Sequence, residues 1–164
     1  KNYYINLGFD FTKESFEVLS HEFISEYKKA MFSPGLVNGM RSLISSLNKE
    51  KITQAIVSAQ ENGLLKKAVN YYKLNKSFVC TQGTDNYKAV GKIDIAQKVF
   101  NTHFKNSKKT ILIGDTEHDA EVAKALFIDC CLVSYGHSSK ERLEKTGFPV
   151  VASVSELQTM LFDY

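Results

Sequence analysis

No stretch of the 164 residues comes near the roughly 20 consecutive apolar residues of a bilayer-spanning helix. That excludes an α-helical membrane protein. Charge of one sign is also scarce: the net charge is only +3, and the lysines are scattered among glutamates on what read as helix faces. A nucleic-acid role therefore has no basic stripe to rest on. Cysteine is limited to Cys80, Cys130 and Cys131, all in or beside apolar β-prone stretches, and neighbouring cysteines rarely bridge or share a tetrahedral metal. A reduced, cytoplasmic protein is expected. Neither G-x-G-x-x-G nor G-x-x-x-x-G-K-[ST] occurs, so an unrelated nucleotide binder finds no support. Lys1 opens the sequence with no signal-peptide pattern after it, which reads as a chain beginning inside a longer protein.

What is present is ordinary globular material, 43% apolar and 24% charged, enough for one domain with a small appendage. From Thr12 to about Asn48 only helical periodicity is found. Phe16, Leu19, Phe23, Ile24, Tyr27, Ala30 and Met31 make one stripe, with Thr12 as the expected N-cap. "SPGLV" breaks it, and Leu36, Met40, Leu43, Ile44 and Leu47 make a second stripe. Residues 1–48 thus read as a helical hairpin. Tyr3, Tyr4, Phe9, Phe11 and Tyr27 are more readily its core than a substrate pocket. After Lys51 short apolar runs alternate with amphipathic helices: "ITQAIV" then 60–73, "SFVC" then 92–104, "TILI" then 117–127, "CCLV" then 140–145, "VVA" then 155–162. Strands separated by helices imply parallel pairing, because a parallel partner needs a crossover. Residues 49–164 read as an α/β body with helices on both faces, whose ligands bind beyond the C-terminal strand ends.

Three places at those ends could carry chemistry. Asp115 follows "ILI" after one glycine, and Asp119 stands one helical turn on. Two hard carboxylates there suit Mg²⁺, which completes its shell with water and substrate phosphate, yet Thr116 to Asp119 equally imitates a capping box. Ser58, placed directly after "ITQAIV", could join the free N–H groups of the next helix in an anion pocket, or with Glu61 form an S-x-x-E capping box. Lys92 begins the helix 92–104, where a cation opposes the helix dipole and asks for a compensating anion. A solvated lysine is the bland alternative, and Lys88 nearby could act in its place. Taken together, a hydroxyl, an ammonium and a carboxylate pair on successive strand-to-helix junctions are the parts that phosphoryl transfer requires.

At these residues the sequence resembles the haloacid dehalogenase (HAD) superfamily, in particular its phosphoglycolate-phosphatase-like hydrolases. "AIVSA" is similar to the family's second motif, Lys92 in "VGKIDIAQK" to its third and "LIGDTEHDAEVA" to its fourth, and the similarity continues through "LVSYGHSSKERLEKTGFPVVASVSEL". The resemblance implies a HAD-like Rossmannoid parallel sheet, three-layer α/β/α, with residues 1–48 as a small helical cap on the core 49–164. It implies that Ser58 hydrogen-bonds the transferring phosphoryl group and that Lys92 neutralises it. Asp115 would bind Mg²⁺, with Asp119 fixing the metal shell through a water or directly. The substrate class implied is a small phosphorylated metabolite, with no nucleic-acid or membrane partner. The helices of a cap would suit a dimer equally.

One departure qualifies the match. The family's first motif is an apolar strand ending in D-x-D, whose first aspartate attacks phosphorus. None of the seven aspartates, at 10, 85, 94, 115, 119, 129 and 163, has another two residues away. A carboxylate nucleophile is therefore missing, and Ser58 has no adjacent base to replace it. The expectation is a Mg²⁺-dependent phosphatase lacking its nucleophile strand and inactive as written, with an open place or a foreign contact in the sheet. The alternative is a non-catalytic phosphate- or metal-binding interaction module.

Overall fold

A computed structural model describes residues 2–13, 15–84 and 91–163. Lys88 lies outside these, as does the Tyr3 side chain. The chain divides into two compact units, Lys1–Gly35 and Leu36–Tyr164.

The first unit holds α1 (Asn2–Asn6) and α2 (Phe16–Ala30). Tyr4 organises it, its ring meeting Phe9, Phe11, Phe16 and Phe23 edge to face, an arrangement that aromatic quadrupoles favour. The stripe expected along α2 is therefore largely aromatic packing, although no residue of the helix is fully buried. Ser15, not Thr12, is the N-cap residue. Thr12 instead turns back on Asp10, both its N–H and its Oγ1 donating to Asp10 Oδ1.

The second unit opens with α3 (Met40–Lys49), the second stripe of the sequence. It ends in a Schellman turn: Lys51 takes φ 60° and donates to Asn48, while the Ile52 N–H reaches Leu47. Ile52 is thereby used to stop a helix, and β1 runs over Ala55–Glu61, later than its apolar run suggests. Then follow α4 (Asn62–Tyr71), β2 (Cys80–Thr84), α5 (Lys92–His103), β3 (Ile111–Gly114) and α6 (Glu117–Leu126). The remaining elements are β4 (Asp129–Val133), α7 (Lys140–Glu144), β5 (Val150–Val151) and α8 (Val154–Asp163).

All strand pairs are parallel, but the strands form two sheets, β1-β2 and β3-β4-β5. Alternating side chains bury them on both sides. Cys131 and Val133 join Leu43 and Leu47 of α3 and Leu157 of α8, whereas Cys130 and Leu132 join Ala120 and Ala123 of α6 and Leu143 of α7. On β1, Ile56 packs towards α3 and α4, and Val57 towards α5 and α6. The same two helix layers thus cover both sheets, giving the three-layer α/β/α order. Burial holds the Cys130 thiol up at about 12 and the Cys131 thiol at about 11, so both are small apolar groups of the core.

The sheet is open between β1 and β3. A cavity of about 640 Å³ is lined there by Ala55 and Val57 on one side and Ile111, Leu112 and Ile113 on the other, and by no residue of β2, β4 or β5.

Candidate active site

The chemistry-bearing residues gather where β3 ends. Gly114 is required at that point: a Cβ on it would run into the Asp119 side chain, which leans back from the first turn of α6. Asp119 closes a capping box with Thr116. Its Oδ2 accepts from the Asp115 N–H (3.1 Å), the Thr116 N–H (3.0 Å) and Thr116 Oγ1 (2.7 Å). Its Oδ1 accepts from Lys92 Nζ at 2.5 Å. The cap and the functional carboxylate, rivals when only the sequence is in view, are one and the same group.

Lys92 opens α5 behind Gly91, whose φ of 103° sets the turn into the helix. The anion its position demanded is Asp119. With side chains only 13% and 5% exposed, the two form an almost buried ion pair joining the first residue of α5 to the first turn of α6. Burial by itself would raise the Asp119 pKa, but the bonds from Lys92 and Thr116, with the Lys92 charge, outweigh it and hold the carboxyl below its usual range.

Asp115 is fixed from the other flank. Its Oδ2 accepts from the His137 N–H (2.9 Å) and its carbonyl from the Ser138 N–H (3.0 Å). Gly136 permits this approach, since a Cβ there would collide with Asp115. Ser138, only 5% exposed, donates through Oγ to Glu117 Oε2 (2.6 Å), and Arg142 Nε donates to Glu117 Oε1 (2.6 Å). The Ser138 bond leads in holding the Glu117 carboxyl below its usual range. Sequence reasoning gave His137 and Ser138 no part; they clamp the loop after β4 against Asp115. The available signal was the glycine in "SYGHSS", close behind a buried strand.

Ser58 stands apart from the others. It lies inside β1, where the ladder slips so that residues 58–60 face Gly83 between the Val57–Gln82 and Glu61–Thr84 pairs. Its Oγ accepts from the Gln60 N–H (3.1 Å), and among the described residues it makes no hydrogen bond with Lys92, Asp115 or Asp119. The S-x-x-E box does not form, because Glu61 is itself the N-cap of α4 and accepts from Gly63 and Leu64 N–H. Those donors are no longer free for an anion. The Ser58 hydroxyl proton can still be offered to one.

For Mg²⁺ the donor set is sparse. Both Asp119 oxygens are engaged, so direct ligation would cost it Lys92 or a capping bond. Asp115 keeps Oδ1 free of hydrogen bonds from described residues, and no group of three acids, histidines or cysteines gathers among them. One carboxylate fits an ion that retains several waters and takes substrate oxygens, not an all-protein cage.

The haloacid dehalogenase-like hydrolase model matches residues 4–133. A tyrosine-protein kinase PtkA of Mycobacterium tuberculosis is 22% identical over 130 residues, 77% of this chain and 45% of that protein, so the chain spans less than half of the curated relatives it matches. Among solved structures, a protein of Clostridium acetobutylicum described as a predicted phosphatase aligns with TM-score 0.80 at 23% identity, covering 99% of this chain and 76% of that one. The structure of M. tuberculosis PtkA aligns with TM-score 0.78 at 20% identity, covering 95% and 73%. With its model matching most of the length and the fold of such proteins reproduced, the chain belongs to the haloacid dehalogenase-like hydrolase family.

Proposed function

We propose that the chain is the greater part of a Mg²⁺-dependent phosphatase acting on a small phosphorylated metabolite in the cytoplasm. The observation that carries this reading is the Lys92–Asp119 ion pair set beside Asp115 at the C-terminal end of β3. It is supported by family membership and by relatives whose names, phosphatase and tyrosine kinase, both denote handling of phosphoryl groups. No helix among the described residues is long and apolar enough to cross a membrane.

The roles divide by charge. Lys92 presents a fixed cation to the phosphoryl oxygens, and Asp119 positions that cation. Ser58 donates its hydroxyl proton to a phosphoryl oxygen. Asp115 would hold Mg²⁺ through Oδ1, with waters filling most of the shell. When bound, the ion would neutralise charge that develops on the phosphoryl group. No aspartate of the chain stands in a D-x-D pair, so none of its own is placed as the attacking carboxylate that this mechanism requires, and the chain as written should not turn over phosphate esters. The test compares this chain with one extended upstream, using an aryl phosphate and Mg²⁺. The extended chain should hydrolyse it and lose that activity with Asp115→Asn; activity indifferent to this substitution refutes the assignment.

The missing pair also favours a second reading, a non-catalytic module that keeps the phosphate pocket for binding. An upstream sequence free of any D-x-D would support it, and its presence there would dismiss it.

A further inference from the structure

Lysines that lie scattered along the sequence are collected by the fold at one end of the second unit. Every strand pair is parallel and every strand is reached from a helix, so the helix-to-strand loops enter at the N-terminal strand ends, opposite the candidate active site. Residues 52–54 line the same cavity as Lys109 and Thr110, which puts the loops before β1 and β3 at a common end. The loops before β2 and β3 hold Lys73, Lys76, Lys105, Lys108 and Lys109, and those before β1 and β5 add one lysine each, all of them exposed. Glu50 is the single acid in these loops, so seven lysines stand against one carboxylate in a chain whose whole net charge is +3. Apolar tips stand among them: Ile52 is 42% exposed, Val79 55% and Phe127 95%. Phe127 takes φ 53° where α6 ends, the left-handed place that glycine usually fills. A bulky residue there strains the backbone, and one so exposed gains no burial in return, so local folding does not account for it.

We propose that this end of the second unit is a docking surface for a lipid bilayer with anionic headgroups. Lysines from four loops lie over the headgroups, and the Phe127 ring enters the boundary with the acyl chains. Stable attachment to a bilayer takes two signals, and the surface supplies both, a polybasic array and apolar tips. Ile52 and Val79 decide against a nucleic acid, since aliphatic tips cannot stack on bases as aromatic rings do, whereas they gain on entering a hydrocarbon boundary. Docked in this way, the unit keeps the C-terminal strand ends, with Lys92, Asp115 and Asp119, facing away from the bilayer. Lipid binding is read without turnover, so this surface stands or falls apart from the phosphatase reading.

The test sediments the chain as it is with vesicles of phosphatidylcholine alone or with about one-third phosphatidylserine. Anionic vesicles should bind it about tenfold more tightly than neutral ones, and the gain should fade at about 1 M salt, where charges are screened beyond about 3 Å. Lys105→Ala combined with Lys108→Ala should weaken binding roughly thirtyfold. The chain has no tryptophan, so Phe127→Trp installs a single reporter, whose emission should shift to the blue on anionic vesicles. Phe127→Gly suits the left-handed backbone and should fold at least as well, yet bind the vesicles several-fold more weakly. Equal binding to both kinds of vesicle would overturn the proposal, as would binding to neither. Tight binding to poly-glutamate or to single-stranded RNA, with the reporter's emission unmoved by vesicles, would overturn it in favour of an acidic protein or a nucleic acid respectively.

Discussion

The tips of β3 and β1 occupy equivalent places, each at the C-terminal end of a parallel strand feeding a helix, yet they are held very differently. At β3 one carboxylate, Asp119, collects four hydrogen bonds, one of them from a nearly buried ammonium, and a second loop clamps Asp115. At β1 the slipped residues are held by neutral bonds, one local and two involving β2: Ser58 Oγ from Gln60 N–H, Thr84 Oγ1 to the Ala59 carbonyl, Gly83 N–H to Asn62 Oδ1. Charged groups must be fixed before a phosphoryl group arrives if they are to stabilise it without reorganisation. A neutral hydroxyl can adjust afterwards. On the proposed function, the contrast separates a rigid electrostatic half of the site from an adaptable half.

Breaking the rigid half should have the largest effect. Asp119→Ala strands Lys92 in a nearly buried position and frees the β3 tip, so a loss of about 3–5 kcal/mol in urea unfolding is expected. Gly114→Ala forces Asp119 away through its new Cβ and should cost about 1–3 kcal/mol, read in the same way. The pH dependence sharpens the same point. Because the Asp119 carboxyl is held below its ordinary value of 3.8, its contribution is full above that pH and is lost as pH falls through the lower folded value. Urea midpoints measured from pH 5 downwards should fall more steeply for the native chain than for Asp119→Asn.

At the other tip the effects shrink. Glu61→Ala removes the N-cap of α4, which should cost about 1 kcal/mol, detectable as a lower thermal midpoint. Ser58→Ala loses a single local bond and should stay within about 0.5 kcal/mol of the native chain. A Ser58→Ala loss as large as that of Asp119→Ala would abolish the distinction between the two halves.

The rigid half was also the more legible in the sequence. Lys92 announced itself because a cation at a helix N-terminus is unfavourable without an anion, and Asp119 announced itself twice, as cap and as carboxylate. Both signals are local. Ser58 was placed just beyond its strand because "ITQAIV" reads as one apolar run. The Schellman turn at Lys51 takes Ile52 for α3, and the strand begins later and carries Ser58 within it. Left-handed lysine gives no warning of such a turn, since glycine is the usual signal. Likewise α3 shared its helical period with α2, and only burial of Leu43 and Leu47 against Cys131 and Val133 assigned it to the larger unit.

By itself the sequence determined the alternation of strands and helices, the parallel pairing that alternation demands, and the lack of a D-x-D pair, because periodicity and spacing are properties of neighbours along the chain. Tertiary structure alone decided that Asp119 serves Lys92 and that the loop of His137 and Ser138 secures Asp115. Those facts depend on which distant segments meet, and long-range packing leaves no local pattern to read.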